Sequence, residues 1–258
     1  MIYVKRWYLN NPLRNYNYLI VNSWKKTGLI VDPTLSTHYE SFLTENGIQP
    51  EAILLTHNHH DHVAAAACLK GKYAIPVYGN FIEYRGGKVD YIVSEEMRIL
   101  FATTLCQVIP CPGHIASHVS FYFPMEELLF CGDTIFTAGV GNVKDVTADV
   151  KMLYESIEKL KKLPAETKLY PAHDYFEGNL AFAQSIDSED LTYKKWSNQV
   201  SGVVPEDKPI TTLGDEREMN IFFRAGESRL RRILRQSNEQ IIDARTAFCE
   251  LRARKDVF

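Results

Sequence analysis

Short apolar runs alternate with turn-forming residues through the first half of the chain. Segments 2–7, 16–22 and 28–31 are apolar and are separated by Asn-Asn-Pro, Lys-Lys-Thr-Gly and Asp-Pro, the texture of strands in a meander. Segment 36–45 reads as a helix, with Ser36 as its N-cap and Gly47 just beyond its end. Segment 52–55 is a short buried strand, and 63–69 reads as a helix. Further strands are predicted over 76–78, 89–93, 103–110, 118–123 and 128–131. Leu153, Ile157, Leu160 and Leu163 recur at helical spacing within 150–163, and 168–171 reads as one more strand. Beyond His173 the strand signal stops. Segments 179–186, 189–199, 216–223, 227–235 and 239–251 all read as helices, linked through a proline-containing loop at 203–209. The pattern predicts a mixed region over 1–173 and a helical segment over 174–258.

Composition narrows the function classes. With 258 residues, 45% hydrophobic and 24% charged, the chain has ordinary globular composition. Its 29 basic and 32 acidic residues leave a formal charge of −3, so no basic field points to nucleic acid or an anionic membrane. No apolar run approaches the roughly 18 residues a membrane helix needs, and the first residues lack the pattern of a secretory signal. Five scattered cysteines without a CxxC pair read as free thiols in a reducing compartment. Together these features predict a cytoplasmic protein; a monomer is the expected state, though none of these features bears on it.

The eight histidines change the picture. Thr56-His57-Asn58-His59-His60-Asp61-His62 follows the strand at 52–55 and packs four potential ligands, His57, His59, Asp61 and His62, into six residues. Imidazole nitrogen and carboxylate oxygen together suit zinc, and also iron or manganese. A similar arrangement recurs after later strands: Pro112-Gly113-His114, Gly132-Asp133-Thr134 and Ala172-His173-Asp174. Alone, each of these reads as an ordinary turn; a ligand-bearing loop beyond a strand end, repeated four times, reads as one site. His38 and His60 match no ligand position, and His118 is assigned to packing beside the site.

The ordered set THxHxDH, PGH, GD and a late His resembles the metallo-β-lactamase superfamily. The resemblance implies an α+β fold, a four-layer αββα sandwich, holding two divalent metal ions: zinc, with iron or manganese as alternatives. It implies His57, His59 and His114 on the first metal, Asp61, His62 and His173 on the second, and Asp133 bridging them. The helical C-terminal part narrows it. Glu216-Arg217-Glu218-Met219-Asn220-Ile221-Phe222-Phe223-Arg224 and the ending Leu251-Arg252-Ala253-Arg254-Lys255-Asp256-Val257-Phe258 are similar to the ERxxNxFxR and LRxxKDxF signatures of the glyoxalase II (hydroxyacylglutathione hydrolase) family. Asp133-Thr134-Ile135-Phe136 and His173-Asp174-Tyr175 resemble its GDTLF and HEYT segments.

That resemblance implies a catalytic domain over 1–173 and a helical glutathione-binding domain over 174–258. It implies hydrolysis of S-lactoylglutathione to glutathione and lactate, as in methylglyoxal detoxification, by a hydroxide bridging the metals, with Asp61 and Asp133 catalytic. Arg252 and Lys255 would bind the glycine carboxylate of glutathione and Tyr175 its backbone. One segment departs from the pattern: the family's GCGR/K-F loop is here Gly139-Val140-Gly141-Asn142-Val143-Lys144. Lys144 is the candidate for the missing charge, and the thiol half of the substrate is the part in question. The alternatives are a single-iron glutathione persulfide dioxygenase, or a thioester hydrolase for another thiol. A lactonase or β-lactamase would lack the KDxF helix, and no GxSxG motif offers a serine nucleophile.

Overall fold

Asn-Asn-Pro and Lys-Lys-Thr-Gly close turns between antiparallel strands β1 (Ile2–Tyr8), β2 (Tyr16–Asn22) and β3 (Thr27–Val31). Helix α1 (Thr37–Asn46) then carries the chain to β4 (Gln49–Leu54), which pairs parallel to β3. Short helices α2 (His60–Val63) and α3 (Ala66–Tyr73) lead to β5 (Val77–Gly79). A small hairpin, β6 (Glu83–Tyr84) and β7 (Gly87–Lys88), precedes β8 (Tyr91–Ile92). The first sheet runs β1-β2-β3-β4-β5-β8. An antiparallel run follows, β9 (Arg98–Leu100), β10 (Leu105–Pro110), β11 (Val119–Phe123) and β12 (Leu128–Gly132). The computed structural model describes residues 1–258, which form two compact units: Met1–Pro110 with Ser117–Gly132, and Cys111–Ala116 with Asp133–Phe258.

Within the first unit, strand alternation explains the core. Leu19 and Val21 of β2 face the helices and pack with Tyr39, Leu43, Ile53 and Leu69. Tyr18, on the opposite face, meets Phe130 of β12 edge-on, with ring centroids 5.4 Å apart. Every residue of β2 is buried because both of its faces are covered.

The second unit holds a hairpin of β13 (Ile135–Phe136) and β14 (Gly139–Val140), helix α4 (Val150–Leu160) and β15 (Lys168–Pro171). Helices α5 (Phe176–Ile186), α6 (Leu191–Val200), α7 (Leu213–Met219), α8 (Ser228–Arg235) and α9 (Ala244–Val257) complete it. Leu153, Ile157 and Leu160 of α4 are buried, as their spacing predicts. Tyr154, Phe222 and Phe248 meet ring to ring, as do Phe182 and Phe222.

Several boundaries differ from the sequence pattern, each for a local reason. The helix predicted over 63–69 is two helices, and the first begins at His60, which places His62 on a helix. Ser36 makes no side-chain cap, although Gly47 takes the left-handed conformation (φ 63°) that ends α1. The helix predicted from 239 begins at Ala244 because Asp243 and Thr246 form a capping box there. The helix predicted over 216–223 ends at Met219, where Asn220 turns extended. All five cysteines are free, and no helix is long and apolar enough to cross a membrane.

Candidate metal centre

Strand β4 delivers the first unit's donors. The chain leaves it through Leu55 and Thr56, and His57 follows fully buried. His57 Nε2 lies 2.9 Å from His59 Nδ1, and its ring centroid is 4.0 Å from that of His62. His62 Nε2 lies 3.3 Å from Asp61 Oδ2, which also accepts a hydrogen bond from the Asn15 amide at 2.8 Å. A tetrahedral ion with metal–nitrogen bonds of about 2.0–2.1 Å has edges of about 3.3 Å between its ligands. The donor separations found here are close to that edge length.

The rear of these rings is held as ligating histidines require. Buried Asp32, at φ 44°, accepts from the Thr56 backbone N–H (2.8 Å) and hydroxyl (2.7 Å) and from His62 Nδ1 (3.1 Å). The Thr56 hydroxyl, having donated to Asp32, accepts from His57 Nδ1 at 3.1 Å. Both imidazoles therefore carry their proton on Nδ1, which leaves Nε2 as the lone-pair nitrogen. His118 is buried and stacks on His57 with ring centroids 4.8 Å apart, a packing position. Gly132 (φ 49°) makes room for this cluster: a Cβ there would lie 2.4 Å from Thr56 Oγ1 and 2.8 Å from His118 Nε2.

The second unit repeats the design. Asp133 is 7% exposed and stands between two histidines, with Oδ2 3.5 Å from His114 Nε2 and Oδ1 3.2 Å from His173 Nε2. His114 Nδ1 lies 2.7 Å from the Asn142 carbonyl. A carbonyl can only accept, so the His114 proton sits on Nδ1 and Nε2 again faces the carboxylate. Each unit thus gathers its own imidazole and carboxylate donors at coordination distances, with the rear nitrogens of His57, His62 and His114 braced. The donor set fits divalent metal.

The expected substrate contacts are placed less uniformly. Arg252 is 5% exposed and donates Nη1 to the carbonyls of Val140 (3.0 Å) and Gly141 (3.2 Å) and Nη2 to Asp256 (2.9 Å). Lys255 donates to the Gly178 carbonyl at 2.9 Å and lies over the rings of Phe182 and Phe258. Partial burial, helped by Arg252, brings its pKa down to about 8. Tyr175 stacks flat on His173, with centroids 5.1 Å apart. Lys144 is exposed, and its backbone N–H is held by the Asn142 side chain at 3.1 Å.

Sequence reasoning missed Asp32, Thr56 and the role of Asn142. Asp32 directly follows β3, so the rule that found the other carboxylates, a ligand type just past a strand, applies to it as well. Asn142 contributes a backbone carbonyl, which no residue identity announces.

The metallo-β-lactamase superfamily model matches residues 11–173, and the hydroxyacylglutathione hydrolase C-terminus model matches 174–258. The hydroxyacylglutathione hydrolase of Francisella tularensis subsp. tularensis (strain WY96-3418) is 44% identical over 225 residues, covering 86% of this chain and 87% of that protein. The crystal structure of ETHE1 from Myxococcus xanthus is similar with a TM-score of 0.68 at 19% identity, over 99% of both chains. That of TTHA1623 in a di-iron-bound form is similar with a TM-score of 0.62 at 28% identity, over 84% of this chain and 99% of the other.

Proposed function

The chain belongs to the metallo-β-lactamase superfamily, and from its hydroxyacylglutathione hydrolase C-terminus we propose that it hydrolyses S-(2-hydroxyacyl)glutathione thioesters, S-lactoylglutathione among them, to glutathione and the 2-hydroxy acid. The observation that carries this reading is the coexistence, in one chain, of braced histidine Nε2 donors with that C-terminal segment. The catalytic domain is residues 1–173, and the glutathione-binding domain is 174–258. His57, His59, Asp61, His62, His114, Asp133 and His173 hold two divalent ions, zinc foremost. Support for the count comes from seven donors in one chain and from the di-iron form of a structural neighbour.

Bound metal would lower the pKa of water from 15.7 to about 7 and polarise the thioester carbonyl. The chain's own groups do the rest. Asp32 and the Asn142 carbonyl hold the Nδ1–H groups of His62 and His114, so in each ring Nε2 is the nitrogen left to ligate. Asp61, steadied on Oδ2 by Asn15, is the carboxylate placed to accept and pass on a proton. Tyr175 presents its ring edge and hydroxyl to the glutathione backbone. Arg252 holds the backbone of the 140–141 segment and stands with Lys255 as a residue for the glycine carboxylate, and Lys144 adds charge from its own loop. Lys255 has given one of its three N–H donors to Gly178 and offers the others to the glycine carboxylate.

The direct test is thiol release from S-lactoylglutathione by metal-replete protein. Absence of hydrolysis at full metal occupancy would sink the assignment. Lys255 adds a pH signature. Its charge is lost as pH rises through about 8, so KM should climb about tenfold between pH 7 and pH 9.5, the worth of one partly exposed charge-assisted hydrogen bond. Lys255→Gln should begin at the high KM and show no such climb; a climb that persists in the variant would remove Lys255 from the substrate site.

A further inference from the structure

Glu216 is a fully buried carboxylate that touches none of the proposed ligands. It accepts three hydrogen bonds: from the Ala138 N–H (2.9 Å) and the Asn220 amide (2.8 Å) on Oε2, and from the Thr211 hydroxyl (2.9 Å) on Oε1. No cation pairs with it, and burial raises its pKa to about 7. A buried charge without a counter-charge is costly, so packing alone does not explain a glutamate here. Its contacts offer another reason.

Ala138 sits in the two-residue turn of the β13–β14 hairpin with φ 59°, a left-handed conformation that a residue with a Cβ resists. Glu216 captures the N–H of that strained residue. The Asn220 amide, anchored on Glu216, also donates to the Gly139 carbonyl at 3.0 Å, and the Asn179 amide holds the Thr137 carbonyl at 3.0 Å. The hairpin fits this brace closely, since a Cβ on Gly139 would lie 2.4 Å from the Asn179 amide nitrogen. Two residues after β14 comes Asn142, whose carbonyl orients His114. Between them lies Gly141, packed so tightly that a Cβ would lie 2.0 Å from the Asp133 carbonyl oxygen. The hairpin is thus the wedge on which Asp133 and His114 both rest.

We infer that Glu216, working with Asn220, is a positioning residue that sets the β13–β14 hairpin and through it fixes His114 and Asp133 in ligating geometry. The inference rests on the proposed metal centre, but its test needs no substrate, so a failure to hydrolyse the glutathione thioester would leave it standing. Glu216→Gln preserves the arrangement: the amide oxygen replaces Oε2, and the amide N–H groups face Thr211, whose hydroxyl can accept instead of donating. Glu216→Ala releases all three donors.

Zinc affinity, measured by chelator competition, should fall about tenfold in Glu216→Ala, the size seen when an outer partner of a ligating histidine is lost, and return to within about twofold in Glu216→Gln. The His114 Nδ1–H proton resonance of the metal-free protein should weaken or broaden in the alanine variant and persist in the glutamine variant. Unchanged zinc affinity in Glu216→Ala, or a glutamine variant as impaired as the alanine one, would overturn the inference. Should Glu216→Ala not fold, Asn220→Ala carries the same test, because it cuts the link to the Gly139 carbonyl while leaving Glu216 on Ala138.

Discussion

Replacing Asp133 with alanine is expected to lower kcat/KM for the glutathione thioester by about 10³-fold and to strip most of the bound metal. Metal at a reacting carbonyl is worth several kcal/mol in the transition state, and each 1.36 kcal/mol is about tenfold in rate, which sets that size. Asp133 has an imidazole on each oxygen, His173 at 3.2 Å and His114 at 3.5 Å. Its removal takes away the carboxylate that faces His114 Nε2 and His173 Nε2, and the packed backbone cannot refill the space, because Gly141 beside it is already at its steric limit. Metal stoichiometry by elemental analysis, taken with steady-state kinetics, separates the outcomes. Full metal with lost activity would make Asp133 catalytic but not a ligand. Full metal with full activity would remove it from the centre altogether.

The candidate donors were legible because they are rare residue types at fixed spacing after strands. His57, His59, Asp61 and His62 lie within six residues, and the fold at a strand end could only gather them. Asp133, His114 and His173 come from distant parts of the chain, and the recurring strand–turn–ligand pattern marked each. What supports them was harder to read. The brace behind His114 is a carbonyl, and its residue, Asn142, stood out in the sequence only as a departure from a familiar loop. That departure changes a side chain, while the contact that matters is made by the backbone and survives it. The β13–β14 hairpin went unseen because strands of two residues carry no measurable periodicity. Helix ends slipped where a capping box, as at Asp243 and Thr246, outweighed hydrophobic spacing. Arg252 and Lys255 look alike in a basic tail, yet only one of them is deeply buried on backbone carbonyls. One-dimensional spacing cannot separate a clamp from a contact.

Glycine positions show how much of the centre is held by the absence of atoms. Gly113→Ala should destabilise the protein by about 3 kcal/mol or more, from overpacking of about 1–3 kcal/mol and a left-handed penalty of about 1–2 kcal/mol. At φ 144°, Gly113 lets α4 come so close that a Cβ would lie 2.3 Å from the Leu153 Cα and 2.4 Å from its backbone nitrogen. The helix is tied down at that point, with the Asp149 N–H on the Gly113 carbonyl (2.9 Å) and the Ser156 hydroxyl on the Pro112 carbonyl (2.7 Å). Side-chain rotation cannot relieve a clash with main chain, so α4 must lift or the 111–116 segment must shift, and His114 is the next residue. For a chain of this size 3 kcal/mol corresponds to a fall in Tm of about 6–12 °C. Gly178→Ala is the matched control. Gly178 lies inside α5 with nothing within 4 Å of its missing Cβ, and alanine there should hold or raise Tm through helix propensity. Scanning calorimetry on the two variants measures one added methyl in two surroundings. A Gly113→Ala protein that melts like the parent would mean that α4 does not rest on this turn, and the positioning of His114 would need another cause.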